Sequence, residues 1–299
     1  MINYLNTYYF LYLTLGFALL LGLYFLLRNK NEKTITIVLF SLLLGNFILS
    51  FLKLYADYYQ QWMPWAIRTV TPENICNISV LAFPWIFLSR VKILKDYMFF
   101  MGVFGGLGAM LIPVDAIGLA PFSFEAIWFY ICHGLIWIVP LLMVLLKLHT
   151  LDYKRIVKIP LLVYAVLCII LVNEVILIGT GFVNINTLFS YEVRNAAMIF
   201  GPLPEDLFIG KFFTPLTPNL FLTVPIGPNA GAPFYWPIVW LVIPFFVYFC
   251  ILALILALPF EYKNIKKDVF VLRRRIKSIT NRFLSRGLYP EHSRRSPSE

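Results

Sequence analysis

The chain has 299 residues, of which 60% are hydrophobic, 17% are aromatic and only 13% are charged. Soluble globular domains carry about 25% charged residues, so the composition excludes that class and indicates a polytopic membrane protein. The formal net charge is +10. The first apolar segment is not preceded by Lys or Arg, and a secretory signal peptide needs such a basic region, so we expect a retained first helix.

Seven apolar segments have roughly the 17–25 residues that cross a bilayer. They lie at 8–27, 34–52, 72–89, 97–112, 124–147, 158–179 and 234–258. Of the 25 Lys and Arg residues, 21 fall in alternate connections and in the C-terminal tail. The positive-inside rule then predicts an external N-terminus and a cytoplasmic C-terminus. The expected fold is an all-α integral membrane protein with seven transmembrane helices, whose topology accounts for the charge without a nucleic-acid partner.

The third segment opens with a helix-start signal in the sequence TPENICNI. Thr71 is the expected N-cap, Pro72 the first helical residue, and Glu73 lies in the first turn. Cys76 and Asn77 follow Glu73 by three and four residues, so these three side chains are expected to share one helical face. A carboxylate, a thiol and an amide at the mouth of a membrane helix form a candidate site.

The fourth segment contains Gly102, Gly105, Gly106 and Gly108. A phosphate-binding loop is the alternative interpretation, but it requires a preceding strand, and this run lies inside an apolar segment. Small residues three and four apart let membrane helices approach closely. We therefore expect these glycines to serve helix packing.

Further polar residues lie in the spans that follow and in the second span. His133 and Glu125 lie on the fifth segment, Asn173 and Glu174 near the end of the sixth, and Asn46 late in the second. With a rise of about 1.5 Å per residue, most of them reach a similar depth in the outer leaflet. Ionisable groups inside membrane spans are costly and mark functional sites by default. The cytoplasmic halves contain few comparable residues.

A thiol and an imidazole at one depth predict nucleophilic catalysis, in which His133 takes the proton of Cys76 and the thiolate attacks an acyl carbonyl. Glu174, Asn173 or Glu125 is expected to orient the imidazole, as the third member of a triad does. The alternative for His133 is a hydrogen bond that holds helices together.

The other cysteines, Cys132, Cys168 and Cys250, are expected to pack inertly. Their spacing and the three scattered histidines predict neither a metal site nor a cofactor site.

Two segments lie outside the spans. Residues 180–233 have seven prolines but many aromatic residues, which predicts an ordered, lid-like external loop within a membrane domain of residues 1–262. Residues 263–288 alternate apolar and basic positions with helical spacing, which predicts an amphipathic helix on the anionic cytoplasmic leaflet. The tail 289–299 is expected to be disordered.

Several motifs occur together in order. TPENICNI is followed by ICHGLIWIVPL, then by Asn173, by NLFL from Asn219 to Leu222, and by PFYWP from Pro233 to Pro237. This pattern resembles the seven-helix membrane family that includes bacterial YwaF-like proteins and vertebrate transmembrane protein 164. For the vertebrate branch, the resemblance implies an acyltransferase that moves a fatty acyl chain between phospholipids. It also implies that Cys76 and His133 are the active residues.

The sequence therefore predicts a multi-pass protein of the cell membrane that acts as a lipid acyltransferase or acyl hydrolase, with a phospholipid or another acyl lipid as its partner. Asn77, Asn46 and Asn219 are expected to line its cavity. A binding protein or transporter with a proton relay through His133 or Glu174 is an alternative, as is a non-catalytic scaffold. A retinal protein is excluded because segment 234–258 has no Lys. The sequence leaves the oligomeric state open.

Overall fold

The computed structural model describes residues 1–184, 198–201 and 208–287. Its principal helices are α1 Thr7–Leu27, α2 Glu32–Leu52, α3 Ile75–Leu88, α4 Lys92–Leu111, α5 Phe124–Leu145, α6 Ile159–Gly179 and α7 Val242–Gly287. Shorter helical turns are Lys53–Tyr55, Asp57–Gln60, Trp65–Val70, Val114–Ala116, Tyr153–Lys158, Phe208–Phe213, Thr214–Leu216, Asn219–Phe221 and Val239–Leu241. Within these residues, β pairing is limited to an isolated bridge between Thr223 and Pro233. The protein is all-helical, as its composition predicts.

The described part contains six helices that are long and apolar enough to cross a membrane. Helix α3 is the exception, because its 14 residues extend only about 21 Å, whereas the hydrocarbon core is about 30 Å thick. The prediction of seven full-length spans is thus corrected to six candidate spans and one shorter apolar helix. This is a multi-pass membrane protein.

Helix α3 also begins later than the sequence predicts. Asn74, with extended backbone angles, is its N-cap, and the Asn74 side chain accepts a hydrogen bond from the backbone N–H of Asn77. The prediction that Thr71 caps the helix is wrong, since the Thr71 carbonyl instead accepts a bond from the N–H of Glu73 in a tight turn. Glu73 therefore precedes the helix, and Cys76 lies in its first turn.

The start of the chain folds against the connection between α4 and α5. The N–H of Ile2 donates to the carbonyl of Leu119, the N–H of Gly118 donates to that of Ile2, and the Tyr12 hydroxyl donates to that of Pro121. We call this side of the molecule the amino-terminal end. It collects the first residues of α1, α3 and α5 together with the last residues of α2, α4 and α6.

Helix α5 lies at the centre of the bundle, and most of its residues are buried. Two glycines of α4 allow close contact with it. A Cβ atom at Gly102 would lie 2.5 Å from the carbonyl oxygen of Ile136, and one at Gly106 would lie 2.8 Å from that of His133. These contacts confirm the packing role for Gly102 and Gly106. Gly105 and Gly108 face open space, so the prediction does not extend to them.

Helix α7 is continuous for 46 residues, through Pro259 and into the basic segment. The sequence predicts a membrane span followed by a separate amphipathic helix. In the structure the two form a single helix up to Gly287, and the tail predicted to be disordered, 289–299, lies outside the described residues.

The described parts of the 180–233 segment pack onto the start of α7. The Thr217 hydroxyl donates to the carbonyl of Trp240 at 2.9 Å, and the indole N–H of Trp240 donates to the carbonyl of Met198 at 2.9 Å. Residues 185–197 and 202–207 of this predicted lid lie outside the described residues. Its role as a lid stays a prediction.

Candidate functional site

A buried arginine lies between two carboxylates at the amino-terminal end. The Arg68 Nε atom is 3.1 Å from Glu174 Oε1 and 3.3 Å from Glu73 Oε2. Arg68 and Glu174 are 3% and 1% exposed, so the charges are almost fully removed from water. Removing one member of such a group would leave an uncompensated buried charge. The ion pairs therefore hold the turn before α3 against the end of α6.

Lys53 and Asn77 extend this group towards α2 and α3. The Lys53 ammonium donates to the Thr69 carbonyl at 2.8 Å, and the Asn77 amide donates to the same carbonyl and to the Glu73 carboxylate, both at 3.0 Å. Burial raises the pKa of the Glu73 carboxyl group, and the nearby Arg68 and Lys53 cations partly offset the rise by favouring the carboxylate.

Aromatic rings cover the Lys53 ammonium, which lies 5.4 Å from the ring centre of Tyr59 and 5.8 Å from that of Trp128. Such cation–π contacts compensate in part for the loss of hydration. Trp128 lies near the start of α5, five residues before His133. The lysine thus links the end of α2 to the turn before α3 and to the first turns of α5.

Asn173 completes the attachment of α6. Its amide donates to the Thr71 hydroxyl at 3.0 Å, and that hydroxyl donates to the carbonyl of Arg68 at 2.7 Å. We define the buried polar cluster by six side chains: Lys53, Arg68, Glu73, Asn77, Asn173 and Glu174. Glu73, Asn77, Asn173 and Glu174 are residues that the sequence placed at the site.

Cys76 is the second helical residue of α3, directly after the Asn74 cap. It is half-buried and packs against the apolar core. The N-terminal turn of a helix favours negative charge, because its backbone N–H groups lack partners within the helix. Among the described residues, no hydrogen bond to Cys76 is present.

His133 is held by its own helix. Its Nδ1 atom lies 2.8 Å from the carbonyl oxygen of Phe129, and the two rings are 4.3 Å apart between centres. A carbonyl oxygen can only accept, so Nδ1 carries the proton and Nε2 presents a lone pair. Nε2 has no hydrogen-bond partner within the described part of the chain. The half-buried imidazole is therefore in the form that a general base requires.

Cys76 and His133 lie on helices that pack against each other, α3 and α5. No hydrogen bond joins the thiol and the imidazole in the described residues. The two groups therefore lie on neighbouring helices and are not paired with each other.

The expected orienting groups have other partners. Glu174 binds Arg68 and Asn173 binds Thr71, so neither of them bonds to His133, whose ring is oriented by Phe129. Glu125 is half-buried in the first turn of α5 and also makes no bond to the imidazole.

Two asparagines complete the predicted set. Asn46 is 2% exposed and its amide donates to the carbonyl of Cys132 at 3.4 Å. Its Oδ1 atom is buried without a hydrogen-bond partner in the part that the structure describes. Asn219 is exposed, and its carbonyl accepts bonds from the N–H of Leu222 and the hydroxyl of Thr223.

Sequence reasoning missed Lys53 and Arg68, which it assigned only to the connections between spans. One signal was available. Arg68 is flanked by Trp65, Ala66 and Ile67, and Lys53 follows directly on an apolar helix, so both stand in apolar surroundings where an unpaired charge would be costly.

A second polar group lies at the opposite end, where the sequence predicted few such residues. Asp96, which is 1% exposed, accepts a bond from His149 Nε2 at 2.7 Å and two bonds from the guanidinium of Arg155. Arg155 also binds Asp152 and the carbonyl of Thr150. These bonds fix the connection between α5 and α6 to α4.

The described residues contain no group of three or more His, Cys, Asp or Glu side chains that could hold a metal ion.

The sequence model of the TMEM164 family matches residues 4–253. This range contains α1 to α6 and the first part of α7, and it ends before the basic segment. No curated protein and no solved structure matches the chain significantly. The match confirms the family resemblance drawn from the TPENICNI and ICHGLIWIVPL motifs. The chain belongs to the TMEM164 family.

Proposed function

We propose that this TMEM164-family protein is a lipid acyltransferase or acyl hydrolase in which Cys76 is the nucleophile and His133 the general base. The observation that carries the proposal is the hydrogen bond from His133 Nδ1 to the Phe129 carbonyl. It leaves the Nε2 lone pair on a half-buried ring, on a helix that packs against the one that bears Cys76.

The reaction proceeds by two displacements. His133 Nε2 takes the thiol proton, and the Cys76 thiolate attacks the carbonyl carbon of a phospholipid ester. The ester C–O bond breaks, the released lysophospholipid oxygen receives the proton from the imidazolium, and the acyl group stays on sulfur as a thioester. An acceptor hydroxyl, or water in hydrolysis, then gives its proton to His133 and attacks the thioester, which restores the thiol.

The buried polar cluster supports this chemistry by position. Arg68 ties Glu73 to Glu174, and Asn173 holds Thr71, so the turn that precedes Cys76 is fixed to α6. A fixed nucleophile loses little conformational freedom on reaching the transition state. In this assignment Glu174 and Asn173 are positioning residues for α3, and the Phe129 carbonyl positions the base.

The proposal includes an external location for the amino-terminal end in the cell membrane, as the distribution of basic residues predicts. The acyl chain of a membrane phospholipid then reaches Cys76 from the outer leaflet, with the 180–233 segment as the cover of the acyl groove.

The test is the intact mass of the detergent-purified protein after incubation with phospholipid, before and after neutral hydroxylamine. We expect an adduct of fatty-acyl mass that hydroxylamine removes and that Cys76→Ala abolishes. Cys168→Ala, which changes an exposed cysteine on α6, is the matched control and should keep the adduct.

An adduct that persists in Cys76→Ala would contradict the assignment of the nucleophile. Acyl transfer from labelled phospholipid that is equal in the wild type and in Cys76→Ala would contradict the catalytic role altogether.

A second function is favoured by the buried charges together with the missing bond between Cys76 and His133. Ionisable groups within membrane helices are typical of ion and substrate pathways, so the protein would be a proton-coupled binding protein or transporter with Glu174 or His133 as the relay. Uptake that depends on a pH gradient in reconstituted vesicles and survives Cys76→Ala would support this function over the first. A scaffold would tolerate Cys76→Ser and His133→Ala in both assays.

A further inference from the structure

The cytoplasmic part of α7, beyond the family match, carries an uninterrupted apolar repeat. From residue 262 to residue 283, positions that alternate by three and four residues are all apolar: Tyr262, Ile265, Val269, Leu272, Ile276, Ile279 and Phe283. Of the 15 positions between them, only Phe270 and Val271 are apolar. This alternation is the heptad spacing that brings two helices together along a seam.

Within residues 1–184, 198–201 and 208–287, nothing covers the middle of this seam. Val269, Leu272, Ile276 and Ile279 are 44%, 57%, 54% and 53% exposed. In the described residues, the bundle contacts this part of the helix on a neighbouring face, where Asp268 binds Tyr153 and Lys154. A row of exposed large apolar side chains marks an interaction surface.

The continuity of α7 beyond the membrane span limits what can cover the seam. The helix has no break between the membrane span and Gly287, and the residues after Pro259 extend about 40 Å at 1.5 Å per residue. A helix that lies in the plane of the leaflet needs a sharp bend after the span, and a proline inside a continuous helix gives only a kink. The basic segment therefore projects away from the bilayer, and its apolar side cannot lie in lipid.

We propose that α7 forms a parallel, two-stranded coiled coil with the α7 of a second copy of this chain. In heptad terms, Val269 and Ile276 occupy a positions, and Ile265, Leu272 and Ile279 occupy d positions. β-branched residues at a with Leu at d favour two parallel strands, whereas Ile at both positions favours three or four. The two-stranded form therefore rests on the central layer around Leu272 and on the flanking charges. Two copies in one membrane have the same orientation, so the parallel arrangement is the one that the membrane allows.

The flanking charges fit this register. In a parallel pair, each g residue faces the e residue five positions later on the partner helix. Glu261 then faces Lys266 and Asp268 faces Arg273, both attractive pairs, while Arg275 faces the neutral Thr280. Tyr153 and Lys154 both bind Asp268 through Oδ2, which leaves Oδ1 for the partner's arginine.

Confinement of both chains to one membrane explains how a coiled coil of only three heptads can hold a dimer together. Three heptads give a weak dimer in solution, but two chains anchored in one bilayer meet at a high effective concentration. Four further basic residues, Lys263, Lys267, Arg274 and Lys277, lie at b and f positions, away from the seam, and Arg282 lies at a g position. Because b and f positions point away from the partner helix, repulsion between the four residues there is low in this register.

The first test is disulfide cross-linking of the full chain in liposomes, in a background with Cys168→Ala and Cys250→Ala. Leu272→Cys lies at d and Arg274→Cys at f, so we expect about tenfold more covalent dimer for Leu272→Cys, because only seam positions bring Cβ atoms within disulfide reach. Equal yields for the two variants would overturn the proposal.

The second test changes the seam itself. We expect Leu272→Asp with Ile276→Asp to convert dimers to monomers in single-molecule photobleaching of the full chain in bilayers. Phe270→Asp with Val271→Asp adds the same charges off the seam and should leave the dimer. A dimer that survives the first pair of changes contradicts the coiled coil.

The anionic leaflet is the rival occupant, and a third measurement distinguishes it. A fluorophore attached to Leu272→Cys should resist quenchers carried on the lipid acyl chains, in liposomes with and without phosphatidylserine. Strong quenching that requires phosphatidylserine would place the seam in the membrane and overturn the proposal.

Discussion

The two ends of the bundle each contain a buried ionic group, and the two groups are mirror images in charge. At the amino-terminal end, Arg68 lies between the carboxylates of Glu73 and Glu174. At the opposite end, the carboxylate of Asp96 lies between His149 and Arg155. Each group ties the end of one helix to a neighbouring connection, so ion pairing alone does not distinguish a functional end from a structural one.

The two ends differ in how their histidines, His133 and His149, are bonded and buried. The Nε2 atom of His149 is bonded to Asp96, so this ring is occupied in holding the connection between α5 and α6. The ring of His133 is half-buried, uses Nδ1 for a carbonyl of its own helix, and lies on the helix that packs against the one bearing Cys76. The two rings thus differ in partner and in burial: His149 is buried and held by a carboxylate, whereas His133 is half-buried and held by a neutral carbonyl.

The largest expected effect separates the two histidines. His133→Gln should lower acyl transfer by about 10²–10⁴-fold, which is the usual contribution of a general base, while the protein remains folded. His149→Gln is the matched control, and it should leave the rate per folded molecule unchanged. Both are measured with labelled phospholipid in detergent micelles, and equal losses in the two variants would break the comparison.

The arginines test the structural half of the comparison. Arg68→Met leaves Glu73 and Glu174 without this cation, and we expect the free energy of unfolding to fall by about 3–5 kcal/mol, as for other broken buried pairs. The Arg155 side chain is 22% exposed against 4% for Arg68, so water can replace part of its bonds. Arg155→Met should therefore cost less, about 1–3 kcal/mol. Unfolding in mixed micelles measures both, and a larger loss for Arg155→Met would contradict the ranking.

Two glycines of α4, Gly105 and Gly106, test how closely α4 packs against α5. A Cβ atom at Gly106 would lie 2.8 Å from the His133 carbonyl oxygen and 3.0 Å from the Trp137 nitrogen. Since both are backbone atoms, Gly106→Ala must move α4 away from α5, at a cost of about 1–3 kcal/mol. Gly105→Ala meets nothing within 4 Å and should be neutral or slightly stabilising. Melting temperatures of the two variants check this, and equal values would refute the close contact.

The smallest effect is expected at the exposed edge of the opposite end. Lys154 and Asp268 form an ion pair whose side chains are 65% and 39% exposed. Solvent and salt screen such pairs, so Lys154→Ala should leave the melting temperature unchanged within error. A clear decrease would show that α7 depends on this contact for its position against the bundle.

Much of the fold follows from the sequence because hydrophobic length is a strong signal. The predicted spans 8–27 and 34–52 lie within one or two residues of α1 and α2. The start of α3 was mispredicted, because Thr71 and Asn74 both have side chains that can cap a helix, and only the packed structure selects Asn74. The prediction of a separate amphipathic helix missed the continuity of α7, since nothing local distinguishes a proline kink from a break.

The sequence predicted most residues of the candidate site, but it did not predict which of them form hydrogen bonds or ion pairs with one another. Cys76, His133, Glu174 and Asn173 stand out because polar groups in apolar spans are rare. Which of them bond to one another depends on helix rotation and on side chains from distant parts of the chain. Arg68 and Lys53 could not be chosen from spacing, because their partners on α6 and in the turn before α3 are brought together only by the fold.

The sequence by itself determined that the chain is a helical membrane protein of the TMEM164 family, and it supplied a thiol and an imidazole for one end. Both follow from local properties, namely apolar length and the identity of single residues. Only the tertiary structure decided that Arg68 takes the two glutamates and that Phe129 orients His133. A buried charge is costly unless it has a partner. Only the fold brings such partners together, because Arg68 and Glu174 are about 100 positions apart in the chain.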